Sequence, residues 1–120
     1  MNIIELTGTC DASGDLTLTA TKSVIGRIEK VVMDYSNGDT GADIVITNED
    51  GTVSTAIMTL ANLGTADATW QPRALCNKVT DGAAFTNFGD KIFVTGKMKI
   101  VIANGGNAKI FRFLTTVSDQ

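Results

Sequence analysis

The sequence predicts an all-β fold: an antiparallel two-sheet sandwich of seven to eight strands. Three observations carry that expectation. Apolar and polar residues alternate in almost every long segment, the period of a half-buried strand. Clusters of Gly, Asn, Asp and Ser separate those segments, as turns require. Two apolar runs, 24–35 and 90–104, are too long for a small flat sheet, since twelve extended residues span roughly 40 Å. Each run contains a glycine, Gly26 and Gly96. A glycine inside a strand marks a bulge or a sharp bend. Each is therefore read as a place where the strand twists hard or passes from one sheet to another, which favours a sandwich or a distorted barrel.

Taken in order, "NIIELT" supplies a first strand, and "GDLTLTAT" sets Leu16, Leu18 and Ala20 against Thr17, Thr19 and Thr21. "VIGRIEKVVMDY" is rich in β-branched residues and alternates imperfectly. "ADIVITN" and "TVSTAIMTL" flank "NEDG", a four-residue hairpin signal ending in Gly51. "DKIFVTGKMKIVIAN" puts Ile92, Val94, Met98, Ile100 and Ile102 on one side, and Phe93, Thr95, Lys97 and Lys99 on the other. "NGGN" turns the chain into a last strand, "AKIFRFLTTV". The predicted core is Leu16, Leu18, Ile44, Ile46, Ile57, Ile92, Val94, Ile100 and Ile102. The segments 36–41, 61–73 and 80–90 read as loops, with room for one helical turn over 61–68.

The 120 residues suit one domain spanning 1–120. A hydrophobic share of 43% against 19% charge argues for a packed core over a disordered chain. The net charge of −3 lacks the basic excess that nucleic-acid binding draws on. No apolar run approaches a membrane span, and the N-terminus has neither the basic nor the apolar region of a signal peptide. Cys10 and Cys76 are expected to be reduced thiols. The chain has no histidine, so no Ser-His-Asp triad, Cys-His pair or His-based metal site can be assembled from it. The expectation is a protein that is not an enzyme and carries no cofactor or metal.

Several stretches invite a sharper reading. Asp34, Asn37, Asp39 and Asp43 bring oxygen ligands together, but their spacing is not that of an EF-hand, and a solvated loop explains them. "NGGN" lacks the Lys-Ser/Thr and helix of a phosphate loop. Cys76 has no base beside it, and an inert thiol explains it. Trp70, Pro72 and Arg73 fall within four residues and hold the only tryptophan and proline. Pro72 stiffens this connector. Trp70 then caps an open end of the sandwich with Arg73 pairing a carboxylate, or the two form an interface hot spot. Phe85 and Phe88, read as loop aromatics, are either plugs or contact anchors. Lys97 and Lys99 form a solvated strand face or a surface for an acidic partner.

The feature order "GRIEKVVMDYSNGDTGADIVI", a hairpin, "WQPR" and "IFVTGKMKIVIANGGNAKIFRFLTTV" resembles the cement or decoration proteins of tailed-phage heads. The likeness covers about residues 24–117, and the N-terminal part departs from it. The resemblance implies a jelly-roll-like sandwich that binds between major capsid protein subunits and stabilises the shell. It implies a homo-oligomer, dimer or trimer, on the virion surface, assembled in the host cytoplasm, with no nucleic-acid or membrane partner. Its expected protein interface is Trp70, Arg73, Phe85, Phe88, Lys97 and Lys99. A ligand- or glycan-binding sandwich module, such as a tail or fibre component, is the alternative. One Trp and one Tyr are few for stacking on sugars. A carboxylate hydrolase is the third class, and nothing in the sequence points to it.

Overall fold

A computed structural model of the chain describes residues 2–34, 40–64, 66–77 and 84–118, with the backbone alone for 75–77 and 84–88. Among them are eleven strands: β1 (Asn2–Thr9), β2 (Leu16–Thr19), β3 (Gly26–Met33), β4 (Ala42–Asp50), β5 (Val53–Leu63), β6 (Ala68–Trp70), β7 (Arg73–Asn77), β8 (Ala84–Lys91), β9 (Phe93–Val94), β10 (Lys97–Ala103) and β11 (Ile110–Ser118). The count exceeds the expected seven to eight because two expected loops are extended. Residues 61–63 continue β5, and 68–70, 73–77 and 84–91 form β6, β7 and β8. No helical turn forms over the described part of 61–68.

The pairing is nested and antiparallel: β1 with β11, β2 with β10, β3 with both β6 and β9, and β4 with β5. The chain is thus one long hairpin folded double, whose successive rungs fall alternately in two sheets. Contacts of β11 with β3 and of β10 with β4 join the rungs. The result is sheet A, β1-β11-β3-β6 with β9 also on β3, and sheet B, β2-β10-β4-β5. This is a jelly-roll sandwich.

Alternation sets which residues face inward. Sheet B contributes Leu18, Ile44, Ile46, Ile57, Met98, Ile100 and Ile102, and sheet A contributes Ile28, Val31, Met33, Phe111, Phe113 and Val117, all buried. Val94 is buried as expected, while Leu16 and Ile92 lie partly buried against this core. The rings of Phe111 and Phe113, two residues apart on one face, stack with centroids 6.3 Å apart.

The imperfect alternation of 24–35 has a local cause. Lys30 opposes Thr116 and Ile28 opposes Val117, so Glu29 is an extra residue in β3. This bulge changes the face parity, and Ile28 and Val31 both point inward though three residues apart.

Gly96 is the corner predicted from sequence. Before it, β9 lies in sheet A; after it, β10 lies in sheet B. A Cβ on Gly96 would stand 2.2 Å from the carbonyl oxygen of Glu49, so only glycine lets the strands pass. Gly26 begins β3 where the chain arrives from beside β10, and a Cβ there would meet the carbonyl oxygen of Ser118 at 2.0 Å. The corner corrects one expectation: Phe93 does not share a sheet with Lys97 and Lys99.

The β4–β5 turn is Gly51-Thr52, because Asp50 still pairs with Val53. Asn48, Glu49 and Asp50 extend β4 instead of turning. Glu49 holds that end together by accepting from the hydroxyls of Thr47, at 2.6 Å, and Ser54, at 2.5 Å.

Candidate protein-interaction surfaces

The sixth position of the jelly roll is split. β6 lies beside Val31–Met33 and β9 beside Gly26–Arg27 of the same strand, β3. The chain between them leaves the sheet and returns as the β7–β8 hairpin, a separate two-stranded sheet. Phe88 opposes Leu75 along this arm, and Phe85 lies on the same strand, β8. The expectation of a loop at 80–90 is corrected: residues 84–90 are strand. Sequence held a sign of this, since Asp81-Gly82 is a hairpin dipeptide between "RALCNKV" and "AFTNF". The side chains of Cys76, Phe85 and Phe88, and all of residues 78–83, lie outside the described residues.

The base of the arm is firmly attached. Trp70 ends β6 opposite Val31 and packs, half-buried, against the core. Pro72 is buried, so the arm departs from a stiff point. Arg73, half-buried, opposes Lys91 across the hairpin and donates from Nη1 to the carbonyl of Pro72 at 3.0 Å. The bulge at Glu29 aims its carboxylate at this base, where Lys91 Nζ lies 2.7 Å away. Hydrogen bonds from Lys91 and then Ser118 hold the Glu29 carboxyl below its ordinary value, with the Arg73 charge adding to them. Arg27 sits 3.8 Å from Asp90 and 5.7 Å from the Phe93 ring centre. Glu29, Arg27 and Asp90 were not singled out in the sequence. A bulge leaves only a broken alternation as its trace.

Lys97 and Lys99 lie on the outward face of sheet B, on a strand whose Met98 and Ile100 point inward. Lys97 opposes Glu49, and Lys99 lies between Thr19 and Thr47. The six expected interface residues therefore do not form one patch. Trp70, Arg73, Phe85 and Phe88 belong to the split edge and its arm, and the two lysines belong to the other sheet.

A different feature escaped sequence reading. Along the opposite side of the sandwich, β1 and residues 19–24 border an open groove of about 510 Å³. β1 closes on β2 at one end, where a Cβ on Gly8 would lie 2.7 Å from Leu18. It stands away over Asn2–Leu6. Among the described residues, none of Trp70, Arg73, Lys97 and Lys99 lines this groove, and neither does any aromatic ring.

The acidic loop separates into ordinary contacts where it is described. Asp34 pairs with Arg112, which also binds Glu5 at 2.5 Å. Asp43 accepts from the Asn62 N–H at 3.1 Å and from Asn104 Nδ2 at 3.0 Å. Asn37 and Asp39 lie outside the described residues. Cys10 is a buried free thiol. Burial raises its pKa, and the charges of Asp11 and Asp15 add to that effect.

No protein-family model matches the chain, and no curated protein matches it. Among solved structures, one titled "Crystal Structure of FLHE" is similar at 12% identity with a TM-score of 0.40, covering 98% of this chain and 97% of that one.

Proposed function

We propose that this chain is a structural virion protein that decorates and stabilises a phage capsid. It binds between major capsid protein subunits, and the β7–β8 arm is its main contact. The observation that carries this reading is the arm itself, whose described strands are hydrogen-bonded in a sheet only to each other and which leaves the sandwich at a buried proline. A lone two-stranded hairpin is marginal in water. Docking against a partner stabilises it, and the stiff base lowers the entropy lost on binding. Lys97 and Lys99, on the outer face of sheet B, add a salt-sensitive contact with acidic rim residues. Many weak copies on a repeating lattice hold through effective concentration. The protein is then a homo-oligomer on the virion surface, with no reaction and no cofactor.

The alternative is a ligand- or glycan-binding sandwich module, such as a tail or fibre component, which would use the groove beside β1. Among the described residues its lining holds no aromatic ring on which a sugar could stack, which leaves that reading second.

The test is binding to undecorated particles by the parent and by a Phe85→Ser/Phe88→Ser double variant. The expected result is a folded variant, by circular dichroism, that decorates poorly. A folded variant that decorates as well as the parent overturns the assignment of the arm. An unfolded variant shows that the two rings are needed by the fold.

A further inference from the structure

We infer that the outer edge of β1 pairs antiparallel with β1 of a second copy, joining two sandwiches through one continuous sheet. This deepens the oligomer proposed above by naming its interface. It rests on the sheet edge and not on the capsid partner.

The sandwich protects its other edges. β2 has four residues, β6 has three and is followed closely by Pro72, and β5 carries two register breaks against β4. Shortness, proline and bulges are the devices that stop strand addition. β1 has none of them. Its eight residues run against β11 without a register break, contain neither Lys nor Pro, and have β11 as their only strand partner among the described residues. Ile3 on this strand is 69% exposed. The one charge of the strand, Glu5, is bound by Arg112, which it shares with Asp34, so part of the repulsion between two copies of net charge −3 is offset at the strand.

The occupant is a second copy because the strand is complementary to itself in one register. The groove opens along Asn2–Leu6, which places a two-fold axis at Ile4. Ile4 then opposes Ile4 of the second copy, facing the merged grooves. On the outer face Ile3 opposes Glu5 of the second copy, and the two Ile3 side chains become diagonal neighbours within reach of each other. The Glu5 residues face each other directly only if the axis falls at Glu5; in the Ile4 register they are diagonal neighbours, each held by its own Arg112. Such an isologous contact closes as a dimer and leaves no long unguarded edge.

Sedimentation of the full chain tests this. The parent is expected to be a dimer. Ile3→Glu places a carboxylate opposite Glu5 of the second copy, and is expected to weaken self-association by at least about tenfold. Ile3 is exposed, so the circular dichroism of the variant should be unchanged, while its melting temperature falls only as far as the lost association accounts for. Ile4→Cys, in a Cys76→Ser background, is expected to give a disulfide-linked dimer on mild oxidation. Directly opposed residues stand about 4.5–5.5 Å apart, within disulfide reach. Leu6→Cys, which opposes Asn2 in this register, should not cross-link. A parent that sediments as a monomer at every concentration overturns the inference, and so does a dimer indifferent to Ile3→Glu. A monomer that instead takes up an extended segment of another protein on this edge also overturns it. None of these results alters the particle-binding test of Phe85 and Phe88, so either proposal can fail alone.

Discussion

The buried side chain of Asn48 accepts a hydrogen bond from the backbone N–H of Gly96 at 3.0 Å. Asn48 lies near the end of β4 in sheet B, and Gly96 is where the chain leaves sheet A for sheet B. One amide therefore satisfies a buried donor at the corner that joins the two layers. Asn48→Ala leaves that donor without its acceptor and should destabilise the protein by about 1–3 kcal/mol. Urea unfolding measures the change. Gly96→Ala should destabilise it too, because its methyl would meet the Glu49 carbonyl.

Ile100 is fully buried at the centre of sheet B, between Leu18 and Ile46. Ile100→Ala should cost about 2–5 kcal/mol, the range for emptying such a site. A loss of only a few tenths in urea unfolding would mean that the sheets repack.

Cys10 lies against Gly105, where a Cβ would stand 2.9 Å from its sulfur. Its raised pKa and its burial both suppress the thiolate. An aromatic disulfide reagent should therefore modify Cys10 only as fast as the protein opens. In denaturant without reductant, two thiols per chain should react. Rapid labelling of Cys10 in the native protein would contradict the packing.

The carboxyls of Glu29 and Glu49 titrate below their ordinary value of 4.5 in the folded chain. Their hydrogen bonds stabilise the fold above that pH. The contribution is lost as pH falls from 4.5 through the lower folded values, because the unfolded chain takes up protons first. Glu29→Gln should lower stability at neutral pH and flatten the acid limb of a stability–pH profile. An unchanged acid limb would show that the Lys91 contact is not formed in solution.

How much of this was legible in sequence follows from the range of each signal. Strict alternation named Leu18, Ile44, Ile46, Ile100 and Ile102 as core, because side-chain direction in a strand is a local property. The same reasoning found Gly96, since a run longer than the sheet must bend at its glycine. The all-β sandwich was thus determined by the sequence alone. In sequence the arm reads as a loop because "AFTNFGD" is rich in turn residues, and only its pairing with Arg73–Asn77 makes it a strand. The Glu29 bulge, the clamp on Lys91 and the groove beside β1 were decided by tertiary structure. Each depends on which strand lies opposite, and that is set by contacts between residues far apart in the chain. Glu29 meets Lys91 across 62 positions, and β1 is left on an open edge because the chain's last strand, not its second, became its neighbour.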